Sequence, residues 1–256
     1  MSDNNTQQQD QQSPQRGFEA LKAHVIANKV DSALWASRVL TIIFAVGYVL
    51  PIFGNAQSSY YKIFMANAMT SALRLHQRMP RIAFTREYLS LLLMEDSCHY
   101  LFFSLIYLYV APVLVIPIPI VLFAILHSAS YSLTLLDTLG QNSWWGARLL
   151  ISLVEFQTRN ILRLAAFSEI FLMPLVIILV FLGRAGIMTP FIYYHFLVLR
   201  YSSRRNPYTR NMFYELRIAT EAVANNPSAP GVIRKILQGG VRFISRLAPP
   251  TQPQQQ

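Results

Sequence analysis

From residue 100 to residue 126 the chain carries no charged side chain. As α-helix, rising 1.5 Å per residue, such a run is longer than the roughly 30 Å hydrocarbon core of a bilayer. A water-soluble domain has little use for it. Pro112, Pro117 and Pro119 interrupt the run, so two arrangements are open: one kinked helix, or a tight hairpin of Tyr88 to Val110 with Val113 to Leu136. The hairpin would carry Glu95 and Asp96 into the bilayer. A central Asp there costs about 2.5 to 3.5 kcal/mol unless it is protonated or paired.

The rest of the composition agrees with a membrane protein. Of the 256 residues 53% are hydrophobic and 13% are charged, against about 25% charged in a soluble domain. Many of the aromatic residues stand at the ends of apolar runs, where an amphipathic ring suits the headgroup region. Cys98 is the single cysteine, so no intramolecular disulfide and no multi-cysteine zinc site can form.

Residues 1–16 are polar, rich in Gln and Asn, and without apolar periodicity; such a segment buries too little surface to offset its ordering entropy. A disordered Gln-rich tail is expected over 1–23 and another over 250–256. The start lacks the basic and apolar pattern of a cleaved signal peptide, which leaves insertion to the first membrane helix. Asn4 lies in an N-x-T sequon, which matters only on a lumenal segment.

A first span is expected from Trp35 to Phe53, with Arg38 able to snorkel and Pro51 and Gly54 closing it. Residues 60–87 mix apolar side chains with Lys62, Arg74, Arg78, Arg81 and Arg86, and this reads as a helix lying at the interface. The Met79-Pro80 step breaks it. Another span runs from Ile161 to Leu182, holding Arg163, Glu169 and Pro174. Met188 to Tyr201 is shorter and reads equally as re-entrant, interfacial or a further span. A region spanning 24–201 is therefore expected to be the helical membrane domain.

The remaining segment, 202–249, is basic. Nine of the 22 basic residues fall between Arg200 and Arg246, opposed only by Glu215 and Glu221. A helix from Tyr208 to Ala224 ends at the Asn225-Asn226-Pro227 breaker. From Val232 to Leu247 a step of about 100° per residue gathers Arg234, Lys235, Gln238, Arg242, Ser245 and Arg246 within roughly 120°. Ile236, Leu237, Phe243, Ile244 and Leu247 cover the opposite half with Val232, Ile233 and Val241. A basic face backed by an apolar one fits a helix lying in an anionic membrane surface; packing of that apolar face on the protein's own body is the competing expectation. The aromatic and basic run from Arg200 to Arg217 abuts an apolar segment, so lipid phosphate is expected as its anion rather than nucleic acid.

Glu95, Asp96, Cys98 and His99 crowd one edge of an apolar segment. They could form a metal site or a thiol nucleophile with its base. The favoured expectation is a buried polar cluster of Glu95, Asp96, His99 and Glu169 that joins helices. Arg74 or Arg78 would be the counter-charge at the first cluster, and Arg163 or Arg159 that of Glu169. No catalytic, cofactor-binding or metal-binding residue is assigned, and no P-loop or G-x-G-x-x-G motif occurs. The rival classes are a small-solute or ion transporter or channel, and a membrane enzyme using the cluster around Cys98.

Five segments in order, NAMTSALRLHQRMP (Asn67 to Pro80), EDSCHY (Glu95 to Tyr100), EIFLMP (Glu169 to Pro174), PFIYYHFLVLRYSSRRNPY (Pro190 to Tyr208) and FISRLAP (Phe243 to Pro249), give the chain a resemblance to the transmembrane protein 33 family over residues 24–249. Ser168 stands where the family pattern would have Asn. The resemblance implies a multi-pass protein of the endoplasmic reticulum and nuclear envelope, related to a fungal nucleoporin of the pore membrane. It also implies association with reticulon-type proteins, with tubular reticulum shape and with nuclear pore assembly. It carries no catalytic residue, and it implies a membrane-active C-terminal region.

The expectation is thus an all-α polytopic membrane protein with three or four spans and a cytosolic C-terminal pair of helices, the last amphipathic. The side of the N-terminus is undecided. Basic residues between Lys62 and Arg86 argue for a cytosolic loop and a lumenal N-terminus, whereas Lys29 and Arg38 beside the first span argue the reverse.

Overall fold

The computed structural model describes residues 16–249 except 51–53, 80–82, 84, 142, 204 and 228–229. The Asn4 sequon, most of the 1–23 tail and the 250–256 tail lie outside the described residues. Among the described residues the chain forms eleven α-helices and no strand. The helices are α1 (Phe18–Ala27), α2 (Lys29–Val49), α3 (Ala56–Arg78), α4 (Arg86–Met94), α5 (Asp96–Tyr107), α6 (Ile118–Leu139), α7 (Trp145–Phe156), α8 (Thr158–Phe181), α9 (Thr189–Ser202), α10 (Tyr208–Ala224) and α11 (Gly231–Leu247). Three of them, α2, α6 and α8, are long and apolar enough to cross a membrane, and α4 with α5, bent by 79° at Glu95, make a fourth candidate.

The proline-rich stretch resolves as a hairpin. Prolines are tolerated where a helix begins, because the first N–H groups have no partner to lose. Pro117 accordingly caps α6 and Pro119 occupies its first turn. The Tyr100 and Phe123 rings meet at 5.0 Å across α5 and α6. Glycine ends the two most apolar helices: Gly140 (φ +79°) and Gly183 (φ +68°) take the left-handed conformation. The Gln141 N–H then reaches the Leu136 carbonyl and the Arg184 N–H the Leu179 carbonyl. Pro51 pushes Leu50 to an extended conformation, so α2 stops at Val49.

The segment expected as a helix within residues 60–87 is α3, which is not among the helices apolar enough to cross a membrane. It packs antiparallel along α2. Asp31 meets Arg74 at 3.7 Å, Ser37 meets Thr70 at 2.7 Å, and Tyr48 meets Tyr60 at 5.4 Å between ring centres. The Gly47 backbone comes close enough to Ser59 that an added Cβ would sit 3.4 Å from its Oγ. On its other side α3 packs against α5, through Asn67 to Ser104 at 2.8 Å and Phe64 to Phe103 at 6.3 Å. The last apolar segment, α9, also belongs to this body: Phe103 contacts Tyr193 and Phe196. An aromatic core of Tyr60, Phe64, Phe103, Tyr107, Tyr193 and Phe196 fills the space between α3, α5 and α9.

These pairings fix the direction of every long helix. One end of the bundle gathers the start of α2, the end of α3, the start of α5, the end of α6 and the end of α9. There Arg78 meets Glu95, Arg200 meets Asp96, and Trp35 donates to Ser132. At the opposite end the Ala111 N–H donates to the Arg184 carbonyl, and Arg184 donates to the Pro112 carbonyl. The first helix, α1, lies at the former end, where the Gly17 N–H bonds the Thr138 carbonyl, and α10 leaves from the same end after Ser203. The start of α2 and the end of α3 lie at this same end, where Asp31 meets Arg74 and Glu95 meets Arg78. Tags fused to the two termini should therefore share one fate under protease in sealed microsomes. Digestion of one with protection of the other would contradict this bundle.

Candidate functional site

The bundle interior holds an Arg that the sequence presents as part of a juxtamembrane basic run. Arg200 is 1% exposed and Glu169 0%. The Arg200 Nε donates to both carboxylate oxygens of Glu169 at 3.1 Å, and its Nη1 donates to Asp96 Oδ1 at 3.0 Å. Glu169 also accepts from the Tyr100 hydroxyl, and from Thr209 Oγ1 at 3.0 Å. Asp96 accepts from Ser203 Oγ at 2.8 Å. The Arg200 guanidinium lies over the Tyr100 ring, 5.1 Å from its centre, and 6.0 Å from that of Phe123. Both acids are thus answered by one planar cation whose fork matches two carboxylates, a geometry that Lys cannot reproduce.

The other members stand around this pair. Glu95, at the α4–α5 bend, receives Arg78 at 2.6 Å and Arg205 at 2.7 Å on one oxygen, joining the end of α3 to the segment after α9. His99 is buried and bonds the Leu93 carbonyl through Nε2 at 2.7 Å. Its Nδ1 is 3.7 Å from Asp96, beyond hydrogen-bond reach. Cys98 is a buried free thiol. Among the described residues no group of three or more His, Cys, Asp and Glu side chains is arranged to hold a metal ion.

The structure therefore brings Glu95, Asp96, His99 and Glu169 to one region, with Arg78 at Glu95. The counter-charge expected for Glu169 differs: Arg163 pairs instead with Glu215 of α10 at 2.7 Å, near the surface. The signal that could have found Arg200 is its spacing. Arg200 follows Tyr193, Phe196 and Leu197 by seven, four and three residues, all buried, so a cation sits on the apolar stripe of its own helix.

The C-terminal pair forms the second candidate surface. The cleft between α10 and α11 is lined by Arg217, Glu221 and Asn225 on one side and Gln238, Arg242 and Ser245 on the other. Arg234 donates to the Asn226 carbonyl at 3.3 Å, and the Tyr194 hydroxyl to the Leu247 carbonyl at 3.0 Å. So α11 sits against α10 along a seam where Arg234, Leu237 and Val241 are half-buried, and Gln238, Arg242 and Ser245 form its exposed border. Its apolar face is turned away from the protein: Ile236 is 66% and Phe243 64% exposed, and Ile244 and Leu247 are exposed with them. Lys235 and Arg246 are exposed as well.

A buried charge left without its partner is far worse than no pair at all. Arg200→Met and Glu169→Leu should each destabilise the detergent-purified protein by about 3–5 kcal/mol, read as a fall in thermal unfolding temperature. The double variant should melt above either single one. A double variant that melts at the sum of the two losses would show that the pair is not the coupling between these helices.

A model of the family described as transmembrane protein 33/nucleoporin POM33 matches residues 13–250. Krueppel homolog 2 of Drosophila melanogaster is 58% identical over 233 residues, covering 91% of this chain and 84% of that protein. Transmembrane protein 33 of Homo sapiens is 45% identical over 227 residues, covering 88% and 92%. The transmembrane protein 33 homolog of Caenorhabditis elegans is 40% identical over 239 residues, covering 91% and 87%. No solved structure matches the chain. With the match spanning every helix described above, the chain belongs to the transmembrane protein 33/nucleoporin POM33 family.

Proposed function

We propose that this protein is a non-enzymatic shaper of the endoplasmic reticulum and nuclear envelope membranes, acting by asymmetric insertion of α11 into the cytosolic leaflet. The observation that carries the reading is the uncovered apolar face of α11, formed by Ile236, Phe243, Ile244 and Leu247. Lodging such a face about 5–10 Å deep in one leaflet expands that leaflet alone and favours curvature.

The cytosolic assignment rests on charge. Between residues 39 and 73 the only charge is Lys62, and between 164 and 199 the only charges are Glu169 and Arg184. Nearly all of the basic residues thus belong to the end of the bundle that carries α1, α10 and α11, and basic residues are retained on the cytosolic side. Lys235 and Arg246 beside the apolar face suit a leaflet with anionic headgroups. The nucleoporin in the family's description supports a place at the nuclear pore membrane. Pore components and reticulon-type shaping proteins are accordingly the proposed partners.

In vesicles reconstituted with the full-length protein, wild type should narrow or tubulate the membrane. Ile236→Glu with Ile244→Glu should incorporate equally, because α11 lies outside the bundle, and lose that effect. Equal tubulation by both would refute the wedge.

A further inference from the structure

At the basic end of the bundle, α4, the end of α3 and the end of α9 enclose a cavity of about 740 Å³, within the range of small-molecule sites. Its walls are apolar, formed by Met79, Leu91, Leu93, Met94 and Leu199, while Arg78, Glu95 and Arg205 stand together in its lining. The two guanidinium groups share a single carboxylate oxygen, so each keeps N–H donors that Glu95 does not occupy, and the trio has a net charge of one positive unit. His99, 1% exposed, also lines the cavity.

An apolar wall beside an excess positive charge with free N–H donors describes a site for an anionic amphiphile. We propose that this cavity binds a glycerophospholipid of the adjoining leaflet. Its phosphodiester sits on Arg78 and Arg205, and one acyl chain runs along the Leu91, Met94 and Leu199 wall. The depth is suitable, since the cavity lies where the charged end of the bundle meets the exposed Leu89, Leu91 and Met94 of α4. A single phosphodiester also matches the single excess charge. The site is separate from α11, and its lipid would be held by the bundle rather than by the amphipathic helix.

The test uses the full-length protein in neutral detergent with dioctanoyl phosphatidylglycerol as probe, its affinity read from concentration-dependent thermal stabilisation. Two controls separate the sources of the chemistry: glycerol 3-phosphate supplies phosphate without chains, and dioctanoylglycerol supplies chains without phosphate. Wild type should be stabilised by the phospholipid and by neither control. Arg205→Gln removes one phosphate donor and leaves Glu95 its Arg78 partner; Ser90→Trp fills the cavity from the exposed side of α4. Each should weaken binding by about tenfold or more, the loss of one charged hydrogen bond, while Lys22→Gln on α1 should not. Full-strength binding by both cavity variants, an equal loss in Lys22→Gln, or equal stabilisation by either control would overturn the proposal.

Discussion

The ion pair of Glu169 and Arg200 is the constraint on which the arrangement of the C-terminal half depends. An unpartnered charge at that depth costs several kcal/mol, and the cost is recovered only when geometry and hydrogen bonding are complete. Completion needs five elements at once. Glu169 comes from the middle of α8, Arg200 from the last turns of α9, Asp96 and Tyr100 from α5, Phe123 from α6 and Thr209 from the first turn of α10. Hydrophobic packing in a bilayer has no such directionality, since lipid tails compete with side chains on nearly equal terms. The polar network therefore selects which helices are neighbours and in which register, and the aromatic core fills the space so defined.

The same competition explains why α3 escapes a reading by apolarity. Its Asn67, Thr70 and Ser71 lower its average hydropathy, yet Asn67 donates to Ser104 and Thr70 bonds Ser37, both across helix interfaces. Small polar residues allow close approach and supply interhelical bonds within a membrane. A sequence window records them as a penalty because the partner is on another helix. The helices α2 and α8 are legible as spans since their polar positions are few; the contacts that seat α3 and α9 in the bundle are not, since their partners lie on other helices.

The polar cluster was legible in half. Acidic residues inside apolar runs announce that a counter-charge must exist, and Glu95, Asp96, His99 and Glu169 do converge. The identity of the counter-charge was hidden because the nearest cations in sequence, Arg159 and Arg163, are on the same helix as Glu169, whereas Arg200 arrives from the next one. Arg163 is one turn and a half from Glu169 along α8 and is drawn outward to Glu215. Sequence proximity favours i, i+3 and i, i+4 partners, and a separation of six residues puts the two side chains on different faces.

What the lock does for the rest of the chain follows from Thr209. The first turn of α10 is bound into the network through its hydroxyl, and Arg163 with Glu215 holds α10 again about two turns later. Along α11, Arg234 is tied to the end of α10 and Leu247 to Tyr194 of α9. Both ends of α11 are thus fixed to a bundle anchored in the bilayer. A free amphipathic helix chooses its own depth and rotation, and inserts only as far as its apolar area repays desolvation of its polar edge. Under the proposed function, α11 has no such freedom. Its depth is set by the bundle, so its two central glycines, Gly239 and Gly240, which would weaken an isolated helix by roughly 1 kcal/mol each, need not prevent it from presenting a continuous apolar face.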